Sequence, residues 1–586
     1  MIKKLMGSIR DNKKHTILTP LFMVGEVGLE CTLPMITAKL INYISEAAKA
    51  GTALDMSVIL HYGWILVLMA MGSMCCGILS GWFAASAAAG FSRNLRHDLF
   101  ARVQSFSFAN IDKFSTASLV TRLTTDVTNV QMAFMMIIRV AVRSPLMLIF
   151  AVLMSINMGG PVALVFLIVV PILGFGLIFI AKKAMPLFKA VFKKYDKLNN
   201  SIQENVKGMR VVKSFVRESY EKQKFGAASE DVRNDFTKAE KLLAFNNPLM
   251  LLAMYICMIL IPFLAAKTIV SSGGSAMEVG DLASLITYAM QILMSLMMLS
   301  MIFVILTISA EAARRVVEVL DTEPTLRKPE HPVTEVADGS IDFENVSFKY
   351  NPDATAYALA DVDLHIRSGQ TVGILGGTGS SKTTLIQLIS RLYDVSEGSV
   401  KVGGVDVRDY DMETLRNQVA VVLQKNVLFS GTIKDNLRWG DPDASDEEII
   451  AACRQAQAHD FIMANPEGYD RFIEQGGANV SGGQKQRLCI ARALLKKPKI
   501  LILDDSTSAV DTQTDALIRK AFREELPDIT KLIIAQRVAS VQDADLILVM
   551  DNGRVAAQGT HDELLATNEI YREVYDSQTK GGDENG

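Results

Sequence analysis

Cysteine is scarce in this sequence, with six residues among 586. So few cysteines form no disulfide framework, and their spacing matches no metal-ligand pattern, so each is expected to be a small buried hydrophobic side chain. A basic excess is also absent, because 60 Lys and Arg stand against 63 Asp and Glu, for a formal net charge of -3. This balance gives no support for nucleic-acid binding.

Apolar and charged residues are segregated along the chain, which is 49% hydrophobic and 21% charged. Six apolar segments reach the roughly 20 residues that cross a bilayer. They are Ile17 to Ile44, Val58 to Ala89, Ala133 to Met158, Val162 to Ile180, Pro248 to Val270 and Leu282 to Ile308. The first is too long for a signal-peptide core and has no small-residue cleavage site, so we expect it to remain in the mature protein.

The positions of basic residues predict the orientation in a lipid bilayer. Lys and Arg are absent from Asn157 to Pro161 and from Ser271 to Asp281, but frequent in Arg93 to Arg122 and Lys182 to Lys241. The positive-inside rule therefore places both termini in the cytoplasm. Because the two basic connections carry helical periodicity, we expect them to extend the membrane helices into the cytoplasm as hairpins with docking tips.

Charges inside the predicted spans indicate a possible site. Glu26 and Glu30 lie one turn apart, and an intramembrane carboxylate is expected to face a cavity or a partner. They could pair with Arg139 or Arg143, or they could contact a substrate. The methionines of the last span could form a surface for hydrophobic ligands, or they could simply pack or meet lipid. These methionines are Met290, Met294, Met297, Met298 and Met301.

Hydropathy falls after a proline-rich, charged stretch at residues 321–340, which we predict to be a linker. It would separate an α-helical transmembrane domain at residues 1–320 from a soluble α/β domain at residues 341–580. Residues 581–586 are expected to form a flexible tail.

A phosphate-binding loop is predicted in the second domain, between a strand at Thr371 to Leu375 and a helix from Thr384 onward. Lys382 would reach the β and γ phosphates, and the Thr383 hydroxyl would bind magnesium. Ser381 stands where glycine is usual, and if that position needs positive φ, serine costs about 1 kcal/mol. The loop comprises Gly376, Gly377, Thr378, Gly379, Ser380, Ser381, Lys382 and Thr383.

Acidic residues follow the buried strand that begins at Ile500. Asp504 is predicted to hold magnesium, and Asp505 takes the position of a base that would activate water. Asp505 is one methylene shorter than glutamate, so its oxygens fall short by about 1.5 Å, enough to impair general-base geometry. Gln424, after a strand at Val419 to Leu423, could touch the same magnesium.

Two further motifs could contact a nucleotide. Tyr350 precedes the phosphate loop and could stack on adenine. A second anion site is predicted where four residues precede the helix at Lys485 to Leu495, because a hydroxyl and free N–H groups meet there. These four residues are Ser481, Gly482, Gly483 and Gln484.

In this order, with Ser508 to Asp511 last, the motifs resemble the nucleotide-binding domain of an ATP-binding cassette (ABC) protein, and the six apolar segments resemble an exporter half-transporter. The resemblance implies ATP and Mg²⁺ as ligands, and a bacterial cell membrane as the location. It also implies that Gly208 to Phe215 forms a hairpin tip pressing on the nucleotide domains, and that Asp511 lies at the interface between two such domains.

Two departures from the family pattern predict poor hydrolysis. Family members that hydrolyse ATP carry Glu in place of Asp505, and a switch His in place of Gln536, which can donate a hydrogen bond but cannot shuttle a proton. In the family each ATP lies between the phosphate loop of one chain and the Ser-Gly-Gly-Gln of the other. A homodimer would hold two impaired sites, so we predict a heterodimer with a half-transporter that has Glu and His.

The predicted function is therefore one half of an ATP-driven exporter of hydrophobic or amphipathic small molecules, similar to bacterial heterodimeric multidrug exporters. Export of a peptide or a lipid stays open. The alternative is an ATP-binding regulatory or sensor subunit without transport, which the weakened catalytic residues permit.

Overall fold

The computed structural model describes residues 1–505 and 510–583. The chain forms two compact units. The first comprises Met1–Ser105 and Phe114–Glu323, and the second comprises Phe106–Lys113 and the chain from Pro324 onward. The short segment Phe106–Lys113, which the sequence analysis assigned to the transmembrane domain, thus belongs to the second unit.

Helices account for the first half of the chain, with α4 in the second unit. They are α1 (Ile2–Gly7), α2 (Lys13–Ala50), α3 (Met56–Gln104), α4 (Phe108–Lys113), α5 (Thr116–Thr121), α6 (Val127–Ile138), α7 (Val140–Gly159), α8 (Leu164–Lys207), α9 (Met209–Ser214), α10 (Glu218–Leu243), α11 (Asn246–Ser272) and α12 (Val279–Asp321).

Among the described residues, five helical stretches are long and apolar enough to cross a membrane. One of them, Thr116–Phe188, runs through a 3-10 turn at Gly160–Ala163 and contains two of the predicted apolar segments. All six predicted segments therefore lie on helices. The extensions are also present, since α3 and α8 continue well past their apolar parts, to Gln104 and Lys207.

Local sequence sets the ends of the membrane helices. Gly51 and Gly273 follow α2 and α11 with φ of 65° and 61°, a left-handed conformation that glycine adopts without a steric penalty. At the start of α12, Glu278 and Asp281 form a reciprocal capping box that satisfies backbone N–H groups. The first unit buries a core between α7, α8, α11 and α12 that includes Phe166, Ile261 and Tyr288.

The second unit contains the strands. They are β1 (Ile341–Phe348), β2 (Leu359–Ile366), β3 (Thr371–Gly376), β4 (Glu397–Val402), β5 (Val405–Asp406), β6 (Val419–Val422), β7 (Gly431–Thr432), β8 (Phe472–Ile473), β9 (Ile500–Asp504), β10 (Thr530–Ile534), β11 (Leu546–Asp551) and β12 (Arg554–Gly559).

The helices of the second unit lie between and after these strands. In addition to α4 they are α13 (Lys382–Ile389), α14 (Met412–Gln418), α15 (Ile433–Leu437), α16 (Asp446–Gln455), α17 (His459–Met463), α18 (Gly482–Leu495), α19 (Thr512–Glu524), α20 (His561–Thr567) and α21 (Glu569–Asp583).

A six-stranded sheet in the order β12-β11-β3-β10-β9-β6 positions the candidate site. All its strands except β12 run parallel. Every residue of β9 and β10 is buried, as expected for central strands of a parallel sheet covered on both faces. Because β10 pairs with both β3 and β9, the carboxyl ends of β3 and β9 bring Gly376 and Asp504 to one edge, where ligands bind in such folds.

The connection between the domains differs from the predicted linker. Helix α12 runs to Asp321, one residue into the predicted range. Val333 pairs with Tyr410, and Val336 is buried in the core of the second unit. The second half of residues 321–340 is therefore packed. At the other end, α21 runs to Asp583, three residues into the predicted tail, and residues 584–586 lie outside the described residues.

Candidate nucleotide site and membrane cavity

The phosphate loop joins β3 to α13, as predicted, although α13 begins two residues earlier, at Lys382. Gly376 has a φ of 157°, and a Cβ there would lie 2.4 Å from the Met550 carbonyl oxygen, so the position has no room for a side chain. Gly379 has a φ of 85°. Ser381 is left-handed, with φ 69° and ψ 24°, so serine occupies a backbone conformation that favours glycine.

Lys382 and Thr383 form hydrogen bonds with oxygen atoms of the phosphate loop and of Asp504. The Lys382 ammonium donates to the carbonyl oxygens of Gly376 and Gly377, both at 2.8 Å. The Thr383 hydroxyl donates to Asp504 Oδ2 at 3.1 Å. Burial lowers the pKa of Lys382 and raises the pKa of Asp504, because each charge is partly removed from water.

These residues fit a magnesium-bound triphosphate. A hydroxyl and a carboxylate within hydrogen-bond distance form an oxygen pair of the kind that Mg²⁺ prefers. A partly desolvated ammonium beside a loop of small residues at the start of a helix suits phosphate oxygens. Lys382, Thr383 and Asp504 could therefore hold ATP and its Mg²⁺, with the loop residues Gly377, Thr378, Gly379 and Ser380 around the phosphates.

Tyr350 lies beside the start of α13. Its hydroxyl lies 2.9 Å from Thr384 Oγ1 and donates to Gln387 Oε1 at 3.2 Å. The Tyr393 ring packs edge-on against the Tyr350 ring, at 5.2 Å between centroids. Tyr350 is 49% exposed, so its anchored ring has surface left on which a base could stack.

Asp505 lies at the centre of a cluster with two carboxamides. Its Oδ2 accepts hydrogen bonds from Gln536 Nε2 at 2.7 Å and from Gln424 Nε2 at 3.4 Å. The backbone of Asp505 is left-handed, with φ 49°, and its N–H donates to the Ile534 carbonyl at 3.1 Å. The structure thus brings together the two positions at which the sequence departs from the family pattern.

The second anion motif forms the start of α18. This helix begins at Gly482, three residues before the predicted start at Lys485. Ser481 Oγ accepts from the Gln484 N–H at 3.2 Å, and the Ser481 N–H donates to Gln484 Oε1 at 3.1 Å. This capping box orders the turn and leaves Gly482 and Gly483 in the first turn, where backbone N–H groups have no partner within the helix.

Asp511 caps α19. Its carboxylate accepts from the N–H and the hydroxyl of Thr514, at 2.9 and 2.8 Å. These hydrogen bonds lower the pKa of Asp511. Residues 506–509, which include Ser508, lie outside the described residues.

Comparisons with known proteins decide the family. A model of the ABC transporter transmembrane region matches residues 16–296, and a model of the ABC transporter domain matches residues 359–508. YfiB of Bacillus subtilis, an uncharacterized ABC transporter ATP-binding protein, is 37% identical over 558 residues, which cover 95% of each chain. The chain belongs to the ABC transporter family.

Other relatives of this ABC transporter extend the comparison. A fatty acid ABC transporter ATP-binding/permease protein of Mycobacterium tuberculosis is 32% identical over 485 residues, 82% of this chain and 75% of that protein. A solved bacterial Atm1-family ABC exporter with ATP bound matches with a TM-score of 0.83 and 25% identity, covering 97% of this chain and 99% of that one. The transporter is thus an exporter-type half-transporter, a multi-pass membrane protein of the class that couples ATP hydrolysis to transport.

The ion pair expected within the membrane helices of this ABC transporter is present. Arg143 Nη2 donates to both oxygens of Glu30, at 2.7 and 2.9 Å, and lies 3.5 Å from Glu26 Oε1. Glu26 is 7% exposed, and its carboxylate lies beside Gly77 of α3. Glu26 is buried and is not among the residues that line the cavity between α2, α7 and α12, so its predicted contact with a substrate stays a prediction.

A cavity of about 770 Å³ opens between α2, α7 and α12. Glu30 and the predicted Met290, Met294 and Met298 line it. Arg139, which the sequence analysis considered only as an ion-pair partner, also lies on the wall. Glu30 both pairs with Arg143 and lines the cavity, so the ion pair is confirmed and contact with a substrate stays a prediction.

One contact beside the nucleotide site was missed by the sequence analysis. The Tyr393 hydroxyl donates to Asp112 of α4 at 2.6 Å, and Tyr393 packs against Tyr350. Asn110 Oδ1 accepts from the Thr325 N–H at 3.1 Å. The helical periodicity of the hairpin predicted a docking tip, but nothing in the sequence marked Tyr393 as the residue that the tip contacts.

Proposed function

We propose that this ABC transporter is one subunit of a heterodimeric exporter whose own ATP site binds nucleotide and hydrolyses it slowly. The observation that carries the proposal is the Asp505 cluster, in which the carboxylate accepts hydrogen bonds from Gln536 and Gln424.

The cluster argues against efficient general-base catalysis. A base must reach the attacking water with an oxygen able to accept its proton, and Asp505 is one methylene short while its Oδ2 is engaged by Gln536. A carboxamide is neutral at every pH and cannot relay the proton. The site can still bind ATP and Mg²⁺ through Lys382, Thr383 and Asp504. The energy of nucleotide binding is therefore available to stabilise a closed dimer. In that state Mg²⁺ would neutralise phosphate charge.

The capped turn at Ser481 supports a role in the partner's site. In a head-to-tail dimer, Ser481 and the first turn of α18 would face the nucleotide held by the second half-transporter, which we infer carries the catalytic Glu and the switch His. This chain would complete that site, and hydrolysis there would reset the exporter.

The cargo is proposed to be hydrophobic or amphipathic, of the multidrug type. The methionine-lined cavity supports it, since unbranched, polarizable side chains adapt to ligands of varied shape. The relative named as a fatty acid transporter is consistent with an amphipathic cargo. The location is proposed to be the bacterial cell membrane, with both termini and the nucleotide-binding domain in the cytoplasm.

The test is ATP turnover by the complex purified from its native membrane through a tag on this chain. Asp505→Ala is expected to leave turnover within about twofold of the wild type, because little general-base catalysis is lost. Gly482→Asp, which places a carboxylate against the partner's nucleotide, is expected to remove most turnover. The reverse pattern would refute the proposal.

A further inference from the structure

We propose that the membrane cavity binds amphipathic compounds with an acidic head group, and that Arg139 receives the acid while the methionines of α12 contact the apolar tail. The inference rests on the proposed export function and names the substrate class of its cavity.

Two charged side chains of the cavity wall, Glu30 and Arg143, are paired with each other. Arg143 holds Glu30 through two hydrogen bonds of 2.7 and 2.9 Å to the two carboxylate oxygens. One guanidinium nitrogen makes both contacts. Hydrogen bonds between two charged groups are stronger than those between neutral groups, and more so where water is scarce. The Glu30 carboxylate is thus already neutralised and is a poor receptor for a cationic ligand.

Arg139 also contributes a charge to the cavity wall. Arg139 has no carboxylate oxygen within 4.0 Å among the described residues, in contrast to Arg143. Its guanidinium lies beside Gly81 of α3. Arg139 lies between α6 and α7, within a predicted membrane span. A guanidinium at a cavity there, with no carboxylate oxygen of the described residues within 4.0 Å, points to a ligand site.

Three methionines of α12 form an apolar part of the cavity lining. Met290, Met294 and Met298 follow one another at four-residue spacing, so they form one stripe along α12. They are 39%, 56% and 38% exposed, which leaves surface for a ligand to cover. The volume of about 770 Å³ lies in the range of small-molecule sites. A cation and an adaptable apolar stripe that line the same cavity match an acid with a long tail.

The experiment compares three probes that share one tail and differ in head group: oleate, oleyl alcohol and oleylamine. Binding of each is measured by competition with a radiolabelled oleate tracer on the purified complex in nanodiscs without nucleotide. The wild type is expected to bind oleate at least about tenfold more tightly than oleyl alcohol, and oleylamine more weakly than either. Oleylamine binding as tightly as oleate would overturn the inference.

Variants locate the effect. Arg139→Gln is expected to abolish the preference for oleate over oleyl alcohol, whereas Arg139→Lys retains most of it. Arg233→Gln, on the exposed surface of α10, is the matched control and should change nothing. An oleate preference that survives Arg139→Gln would contradict the assignment. If Arg139→Gln fails to fold, shown by lost ATP binding, the wild-type ranking and Arg139→Lys still decide.

The head-group test and the turnover test fail independently. Loss of the head-group preference with the expected Asp505→Ala and Gly482→Asp turnover would refute only the acidic cargo. The reverse combination would refute the asymmetric ATP sites and leave the cavity assignment intact.

Discussion

The phosphate loop and the Ser481 motif are two anion-binding regions of one domain, and they differ in how closely they follow the family pattern. On the phosphate-loop side, Ser381 is left-handed and Asp505 is engaged by Gln536. On the other side, Ser481 and Gln484 form a complete capping box. In a head-to-tail dimer the two regions serve different ATP molecules, so one can lose catalytic groups while the other stays fully formed.

The largest effect on ATP turnover is expected from a substitution in the Ser481 motif. Ser481→Ala removes a cap and a hydroxyl that would face the partner's nucleotide, so turnover by the complex should fall about 100-fold, the scale of losing a preorganised donor. Ser445→Ala is the control, because Ser445 and Glu448 form the same capping box on α16. Both variants lose about 1 kcal/mol of stability from the cap. Equal turnover in the two would show that Ser481 is only a cap.

A gain of ATP turnover is expected when the usual residues of the family are restored at Asp505 and Gln536. The double variant Asp505→Glu with Gln536→His supplies the longer carboxylate and a group that can carry a proton, so hydrolysis at this chain's own site should rise about tenfold or more. Turnover is measured in a complex whose other site is silenced by Gly482→Asp. If the double variant gains no turnover, another feature of the loop limits catalysis.

A smaller effect is expected at Ser381. Ser381→Gly removes the cost of a left-handed serine and should stabilise the nucleotide-binding domain by about 1 kcal/mol, raising its Tm by about 2–4 °C. Thr378→Gly is the control, since its φ is not positive and glycine should lower stability by about 0.5–1 kcal/mol. Thermal unfolding of the full chain with and without ATP measures both. A lower Tm for Ser381→Gly would mean that the serine side chain stabilises the loop by more than its strain costs.

Much of the nucleotide site could be predicted from sequence, because its residues lie in contiguous motifs at strand ends. The strand before Asp504, the loop and the turn at Ser481 lie where periodicity and turn residues placed them. The sequence could not separate Glu26 from Glu30, since one turn of helix decides which faces the cavity and which is buried. The contact of Asp112 with Tyr393 joins residues 281 positions apart, and no local pattern encodes such a contact.

We expect that the chain does not form a working ATPase alone. The most direct test is ATP turnover and molecular mass of the chain purified without any other half-transporter, in nanodiscs, beside the complex from native membranes. We predict that the isolated chain binds ATP with negligible turnover, and that turnover appears only when a second half-transporter is present in one-to-one ratio. A stable homodimer of this chain with turnover equal to that of the complex would contradict the account.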